Sequence, residues 1–223
     1  MNRLLKGFAW KLIPCLYMGL LHAQTVDLQQ VTQSVDKHYN GLASLETNFT
    51  ESYRGGGLAR TESGTMWLKK PGKMRWEYDN PARKLFVTNG KTAWFYVPGE
   101  RQARRAAIKR LDDLRSPLRY LLGHTKLEKE FSSLSLASGE PLDRPADKIL
   151  SGVLKGMEDR ISKVDIELTP DSRISRISIY SLDGSITDFR FENERDNVPI
   201  SDGHFHFDPP PGVEVLGATE LGP

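Results

Sequence analysis

The chain has 223 residues, a formal net charge of +2, 38% hydrophobic residues and a single cysteine. That length supports one domain with a real core. One cysteine excludes a disulfide-framed scaffold, and the near-neutral charge shows no global basic bias of the kind that nucleic acid or an anionic membrane would select.

The first residues read as an export signal. Arg3, Lys6 and Lys11 precede the apolar run Leu12 to Leu21, and Ala23 stands at a cleavage point. This basic, apolar, small-residue layout predicts a secretory signal peptide over 1–23. The run is about ten residues, too short to cross a bilayer as a helix. Its removal takes away three positive charges and no negative ones, so the net charge falls from +2 to −1. Cys15 leaves with it, and the mature domain keeps no thiol for a disulfide, a nucleophile or a metal. A lipid anchor at Cys15 is the poorer reading: Pro14 precedes it, and an apolar tail would follow instead of a polar tether. The mature domain is expected over 24–216, with a disordered tail at 217–223.

Thr25 to Tyr39 predicts an amphipathic helix with Leu28, Val31 and Val35 on one face. Thr25 or Asp27 can cap it, and Asn40-Gly41 can end it. From Leu45 the period changes to two: Leu45, Phe49 and Tyr53 share one parity, and Gly55-Gly56-Gly57 forms a turn. Met66 and Leu68 lead to Lys70-Pro71-Gly72. Beyond that turn Met74, Trp76 and Tyr78 share one face and Arg75 and Glu77 the other, which marks a half-buried antiparallel hairpin. Leu85 to Thr88, Asn89-Gly90 and Thr92 to Val97 form a further hairpin, followed by Pro98-Gly99 as a turn. Later strands are expected at 147–154, 161–168, 173–181, 185–193 and 203–208, with 138–148 as a loop. Asn89-Gly90 and Asp183-Gly184 both read as type I′ turns. About eleven short strands joined by hairpins argue for one large curved antiparallel sheet or open barrel.

One insertion breaks the β rhythm. Across 103–123, Ile108, Leu111, Leu114, Leu118, Leu121 and Leu122 follow helical spacing on either side of Ser116-Pro117. Pro117 fits the first turn of a second short helix capped by Ser116.

Several motifs are better explained by structure than by chemistry. Gly90-Lys91-Thr92 lacks the earlier glycine of a phosphate loop and the helix that should follow, so it is a hairpin turn. His204 and His206 share a strand face at a spacing that can bind zinc, but no third ligand accompanies them. Phe205 and Phe207, on the other face, explain that strand. Arg101, Arg104, Arg105, Lys109, Arg110, Arg115 and Arg119 form the densest basic cluster. It reads first as a solvated face, with anionic headgroups or an acidic partner as alternatives. No nucleophile-and-base element stands in a telling context, which points to binding and not to an enzyme. The aromatic residues Trp67, Trp76, Trp94, Tyr96, Phe189, Phe191, Phe205 and Phe207 suit an ordinary core. They also suit a partly filled hollow under helices.

Taken in order, these pieces resemble the periplasmic carriers of outer-membrane lipoproteins, the LolA family. The resemblance rests on Phe49, Gly64 to Leu68, and Lys70 through Tyr78. It continues through Pro81, Leu85, Val87 to Lys91, Trp94 and Tyr96, then Ser116-Pro117-Leu118 with Leu121-Leu122. Asp183 to Thr187 and Phe205 to Val215 complete it. It runs from about residue 26 to 216.

The resemblance implies a mainly β fold with helices (α+β): a half-open β-barrel closed at its mouth by a helical lid. It implies a hollow that takes the acyl chains of a lipoprotein released by an inner-membrane ABC transporter and yields them to an outer-membrane acceptor. The cavity candidates are Phe49, Met66, Leu68, Met74, Trp76, Tyr78, Leu85, Trp94 and Tyr96. The lid candidates are Ile108, Leu111, Leu114, Pro117, Leu118, Leu121 and Leu122. Where the family usually has Arg as a lid latch, this chain has Lys70, which lacks the planar guanidinium fork; Arg75 is a second latch candidate. Neither cofactor nor metal is expected, and the reading is of a periplasmic monomer without catalysis. Two rival readings stay open: a regulatory or sensor module on the same fold, and a hydrolase of uncharacterised type, which would show a buried, convergent set of Ser, His and Asp.

Overall fold

The computed structural model describes residues 27–107, 126–139 and 141–218. The expected signal peptide and all seven lid candidates lie outside these residues.

Helix α1 spans Leu28–Gly41. It starts later than the periodicity suggests because Asp27 is the cap, its carboxylate accepting from the Gln29 amide at 3.2 Å. Such a cap satisfies one of the free amides of the first turn. Thr32, Val35 and Tyr39 form the buried stripe.

Six strands follow: β1 (Ser44–Gly55), β2 (Leu58–Lys69), β3 (Lys73–Asn80), β4 (Lys84–Asn89), β5 (Thr92–Tyr96) and β6 (Gln102–Ala107). A single helical turn, α2 (Leu127–Glu130), leads into β7 (Phe131–Ala137). Then come β8 (Lys148–Leu154), β9 (Ile161–Leu168), β10 (Ile174–Ser181), β11 (Ile186–Asp196), a 3-10 turn (Asp202–Phe205) and β12 (Glu214–Gly217). They form one sheet in the order β12-β6-β5-β4-β3-β2-β1-β11-β10-β9-β8-β7. Every neighbour is antiparallel except β12, which runs parallel to β6. The two meanders β1–β6 and β7–β11 are joined along a single seam, β1 against β11.

The sheet must curl. Seven strand steps separate β3 from β7, which is roughly 33 Å across a flat sheet. Yet the Lys70 ammonium, just before β3, donates to the Tyr39 carbonyl of α1 at 2.5 Å. The Leu127 amide, just before β7, donates to the Asp36 carboxylate of α1 at 3.0 Å. Tyr39 and Asp36 are about 4.5 Å apart along the helix axis. A flat sheet cannot meet both points, so the sheet wraps around α1. The face on which α1 lies is the inner face.

Tyr39 also marks a split in the sheet. The ladder between β10 and β11 stops at Arg176 and Arg190. Above it, the Ile174 amide donates to the Tyr39 hydroxyl at 2.8 Å instead of to a strand. That hydroxyl donates in turn to Glu194 at 3.0 Å. A buried amide must find some partner, and here a helix side chain supplies it.

Several expectations need correction. Among the described residues the sheet has twelve strands where about eleven are expected: β6, β7 and β12 are additional, and the strand expected at 203–208 is absent. Residues 103–107 continue a strand and not a helix. Their Ala-Arg composition favours helix, but β6 gains ladder partners on both sides, and Arg105 and Arg104 lie over the rings of Trp94 and Phe95 at 5.6 and 5.9 Å. Tertiary contacts outweigh weak propensity here. Residues 203–208 are not a strand: Asp202–Phe205 form a 3-10 turn and an irregular segment follows. The expected tail begins inside ordered structure, since β12 includes Gly217 and the Ala218 amide donates to the Arg105 carbonyl at 2.9 Å.

Both Gly-containing hairpins exist, but neither Asn89 nor Asp183 takes the positive φ that a type I′ turn demands. Asn89 instead accepts from the amides of Lys91 and Thr92, both at 3.0 Å. Gly184, at φ 83°, closes a three-residue connection in which the Ser181 amide donates to the Ser185 carbonyl at 2.9 Å.

Candidate functional site

The inner face is the candidate binding surface. Strand parity places Phe49 of β1, Met66 and Leu68 of β2, and Met74, Trp76 and Tyr78 of β3 there, together with Val35 and Tyr39 of α1. All are buried. Phe49 sits 4.6 Å from the Trp76 ring and 4.9 Å from the Tyr78 ring, and Trp76 meets Phe189 edge-on at 6.0 Å. Gly64 lies in register between Phe49 and Tyr78. A Cβ there would stand 1.8 Å from the Glu77 carbonyl oxygen, so the close approach of β2 and β3 requires glycine.

The other half of the inner face comes from residues outside the nine cavity candidates. Phe189, Phe191, Ile177, Ile166, Val164 and Leu150 join the same apolar cluster. Their alternation in β8–β11 was visible, but nothing local said that these strands return to β1.

The structure divides the nine cavity candidates. Trp76 pairs with Phe86, and Phe86 with Phe95. Phe86 and Phe95 therefore share the side of Trp76, while Leu85, Trp94 and Tyr96 lie on the opposite face. There Leu85, Val87 and Phe205 form a separate cluster with Trp67, Trp94, Ile200 and Phe207. Phe207 lies 5.6 Å from Trp94 and 5.4 Å from Tyr96. The run Leu85-Phe86-Val87 is apolar at both parities, so periodicity could not assign a face. Farther round, the same outer face is charged: Arg176 pairs with Glu167 at 2.6 Å and with Asp143 at 3.2 Å, beneath the loop 141–147.

The two latch candidates also separate. Lys70 reaches the last turn of α1 through the Tyr39 carbonyl, and burial lowers the pKa of its ammonium. Arg75 points to the outer face, where it donates to Glu77 at 2.6 Å and to the His204 carbonyl at 3.0 Å. It holds the 3-10 turn. His204 packs edge-on against Trp67 at 4.7 Å, whereas the exposed His206 pairs with Asp208 at 3.0 Å. The two imidazoles therefore have separate surroundings. A closer grouping of possible metal ligands is His38, Glu194 and Asp196. Arg173 already supplies positive charge there, 2.6 Å from Glu194 and 2.8 Å from Asp196.

The inner face ends in a polar layer. Glu51 and Glu62 are directly opposed on β1 and β2 and both are buried. The Tyr78 hydroxyl donates to Glu51 at 2.9 Å, Lys84 pairs with Glu62, and Arg60 lies 3.3 Å from Glu62. Desolvation, set against the Tyr78 hydrogen bond, raises the pKa of Glu51. Burial and the neighbouring Glu51 raise that of the Tyr78 phenol.

A surface of Met, Leu and aromatic rings has no directional bonds to satisfy. It can hold flexible hydrocarbon by area and dispersion alone. Known proteins match this architecture. A curated relative from Alkalilimnicola ehrlichii, named outer-membrane lipoprotein carrier protein, is 28% identical over 222 residues, covering 95% of each chain. One of the same name from Nitrosospira multiformis is 27% identical over 161 residues, covering 71% of this chain and 74% of the relative. An uncharacterized conserved protein from Thermus thermophilus superposes with a TM-score of 0.56 at 13% identity, over 85% of this chain and 98% of that one, and shares the fold. The family model for outer membrane lipoprotein carrier protein LolA matches residues 40–208, and the chain belongs to that family.

Proposed function

We propose that this protein is a periplasmic carrier, not an enzyme. It takes the acyl chains of lipoproteins released from the inner membrane onto its inner face and passes them to an outer-membrane acceptor. The observation that carries the reading is the Met- and aromatic-lined inner face of a sheet curled around α1, whose end strands β12 and β7 do not pair with each other among the described residues. Each methylene exposed to water costs about 0.8 kcal/mol, so several long chains cannot cross an aqueous compartment bare. The acceptor must still win them back. Met66 and Met74 give a soft lining that can repack. Export with cleavage near Ala23 would deliver the chain to that compartment as a soluble monomer. The energy of loading comes from the inner-membrane ABC transporter.

The lid reading for Ile108, Leu111, Leu114, Pro117, Leu118, Leu121 and Leu122 belongs to this proposal. So does the role of Lys70, which ties the rim of β3 to α1. The division of the cavity candidates sharpens the test. Spheroplasts holding a newly made lipoprotein are given the purified mature protein, and the soluble fraction is probed for a one-to-one complex. Release is expected with the native chain and with Trp94→Glu if it stays folded, and is lost in folded Trp76→Glu and Leu118→Glu. Absence of release with transporter and cargo from the same organism refutes the carrier reading. Binding without transfer to an acceptor favours the sensor module.

A further inference from the structure

The inner face does not stay apolar to its end. Away from the Lys70 turn, β1 to β4 together place a row of ionisable side chains across it. Tyr53 opposes Arg60, Glu51 opposes Glu62, and Tyr78 opposes Lys84. Arg60 lies over the Tyr53 ring at 5.7 Å, and Lys84 lies 5.5 Å from the centre of the Tyr78 ring. Two opposed carboxylates repel one another, and apolar residues of similar volume would hold such a place at least as well. Stability therefore does not explain the row.

We propose that this layer is the floor of the acyl site and sets the longest chain the protein accepts. The proposal rests on the carrier reading above. A hydrocarbon tip that reached Glu51 and Glu62 would have to separate buried charges from their partners without replacing them. Above the floor, Phe49, Met66 and Trp76 offer only apolar contact. From Leu45 to Glu51 the strand advances six residues, about 20 Å at the usual strand rise. An extended chain advances about 1.25 Å per carbon, given C–C bonds near 1.52 Å. A chain lying along β1 to β3 therefore meets the floor at about 16 carbons.

The test uses the full mature protein and synthetic peptides, each carrying one saturated N-acyl chain. Their affinities are read by displacement of a fluorescent fatty acid. Affinity should rise about fourfold per methylene until the floor is reached, at about 16 carbons, and then stay level. In the double variant Glu62→Met, Lys84→Met the rise should continue, with at least about tenfold tighter binding two carbons later. A second measurement needs no variant. A terminal hydroxyl should weaken a chain of about 12 carbons, whose tip stays in the apolar part, by about tenfold, and should scarcely weaken one of about 16. A native affinity that climbs unbroken through about 20 carbons, or a hydroxyl penalty equal at both lengths, overturns the floor while leaving the carrier reading intact. Failure of every chain length to bind overturns both.

Discussion

Replacing Tyr39 with Phe removes one hydroxyl and tests how α1 is seated. That hydroxyl accepts from the Ile174 amide at 2.8 Å and donates to Glu194 at 3.0 Å, and Tyr39 is buried. Glu194 keeps Arg173 and His38, so its loss is small. The Ile174 amide faces the split between β10 and β11, where the ladder has already ended. Leaving a buried amide without its partner costs about 1–3 kcal/mol. Adding the bond to Glu194, the expected loss is about 2–3 kcal/mol. In a domain of about 200 residues that lowers Tm by about 5–10 °C. Lys70 bonds the main-chain carbonyl of Tyr39, so its contact survives the substitution and the change reports the hydroxyl alone. Urea unfolding followed by tryptophan fluorescence measures it, with an unchanged m-value as the check on compactness. A loss below about 0.5 kcal/mol would show that the Ile174 amide finds another partner, and the account of the split would fail.

Three more outcomes follow from the packing. Gly64→Ala should cost at least about 2 kcal/mol in urea unfolding, because its Cβ meets the Glu77 carbonyl and the strand cannot shift without breaking its ladder; near-native stability would refute that close approach. Phe205→Ala should cost about 3–5 kcal/mol yet leave acyl-peptide affinity unchanged, since its cluster lies on the outer face; weakened binding by folded protein would contradict that separation. Glu51 has a folded-state pKa above its ordinary value of 4.5, chiefly from desolvation. Its favourable contribution is thus complete below pH 4.5 and is lost as the pH rises through the folded pKa. Glu51→Gln should therefore stabilise the protein at pH 7, with a smaller gain at pH 4; an equal gain at both would contradict the assignment.

The hairpins were legible because their signals are local. Met74, Trp76 and Tyr78 alternate cleanly with Arg75 and Glu77, and β3 follows that parity. Faces became illegible where both parities are apolar, as at Leu85-Phe86-Val87, since only pairing to Trp76 decides them. Strand β7 gave little signal. It is a serine-rich edge whose register shifts between Phe131 and Ser133, which breaks the alternation. Strand β12 is a short parallel addition, and parallel pairing carries no hairpin mark. Residues 103–107 read as helix because alanine and arginine suit one when no neighbour is known. The charged floor was hidden for a related reason. Glu51, Glu62 and Lys84 each look like ordinary surface residues of a strand, and only the sheet brings them together on the inside.

The seam between β1 and β11 has a consequence for how the chain reaches this shape. Within each meander, neighbours in sequence are neighbours in space and can zip together as they form. The seam joins residues such as Thr47 and Glu192, 145 positions apart. Contacts so distant are slow to find. A chain that emerges N-terminus first presents Phe49, Met66 and Trp76 before the strand that completes their enclosure has arrived. A one-residue slip of β1 against β11 would also turn the inner set of one meander outward. Asn197 sits where that slip is resisted: its side chain accepts from the Ala43 amide at 2.8 Å while its own amide donates to the Ser44 carbonyl at 2.8 Å. The interval between emergence of the first meander and closure of this seam is therefore when the protein is most exposed to aggregation and proteolysis, and the residues that fix its register govern how long that interval lasts.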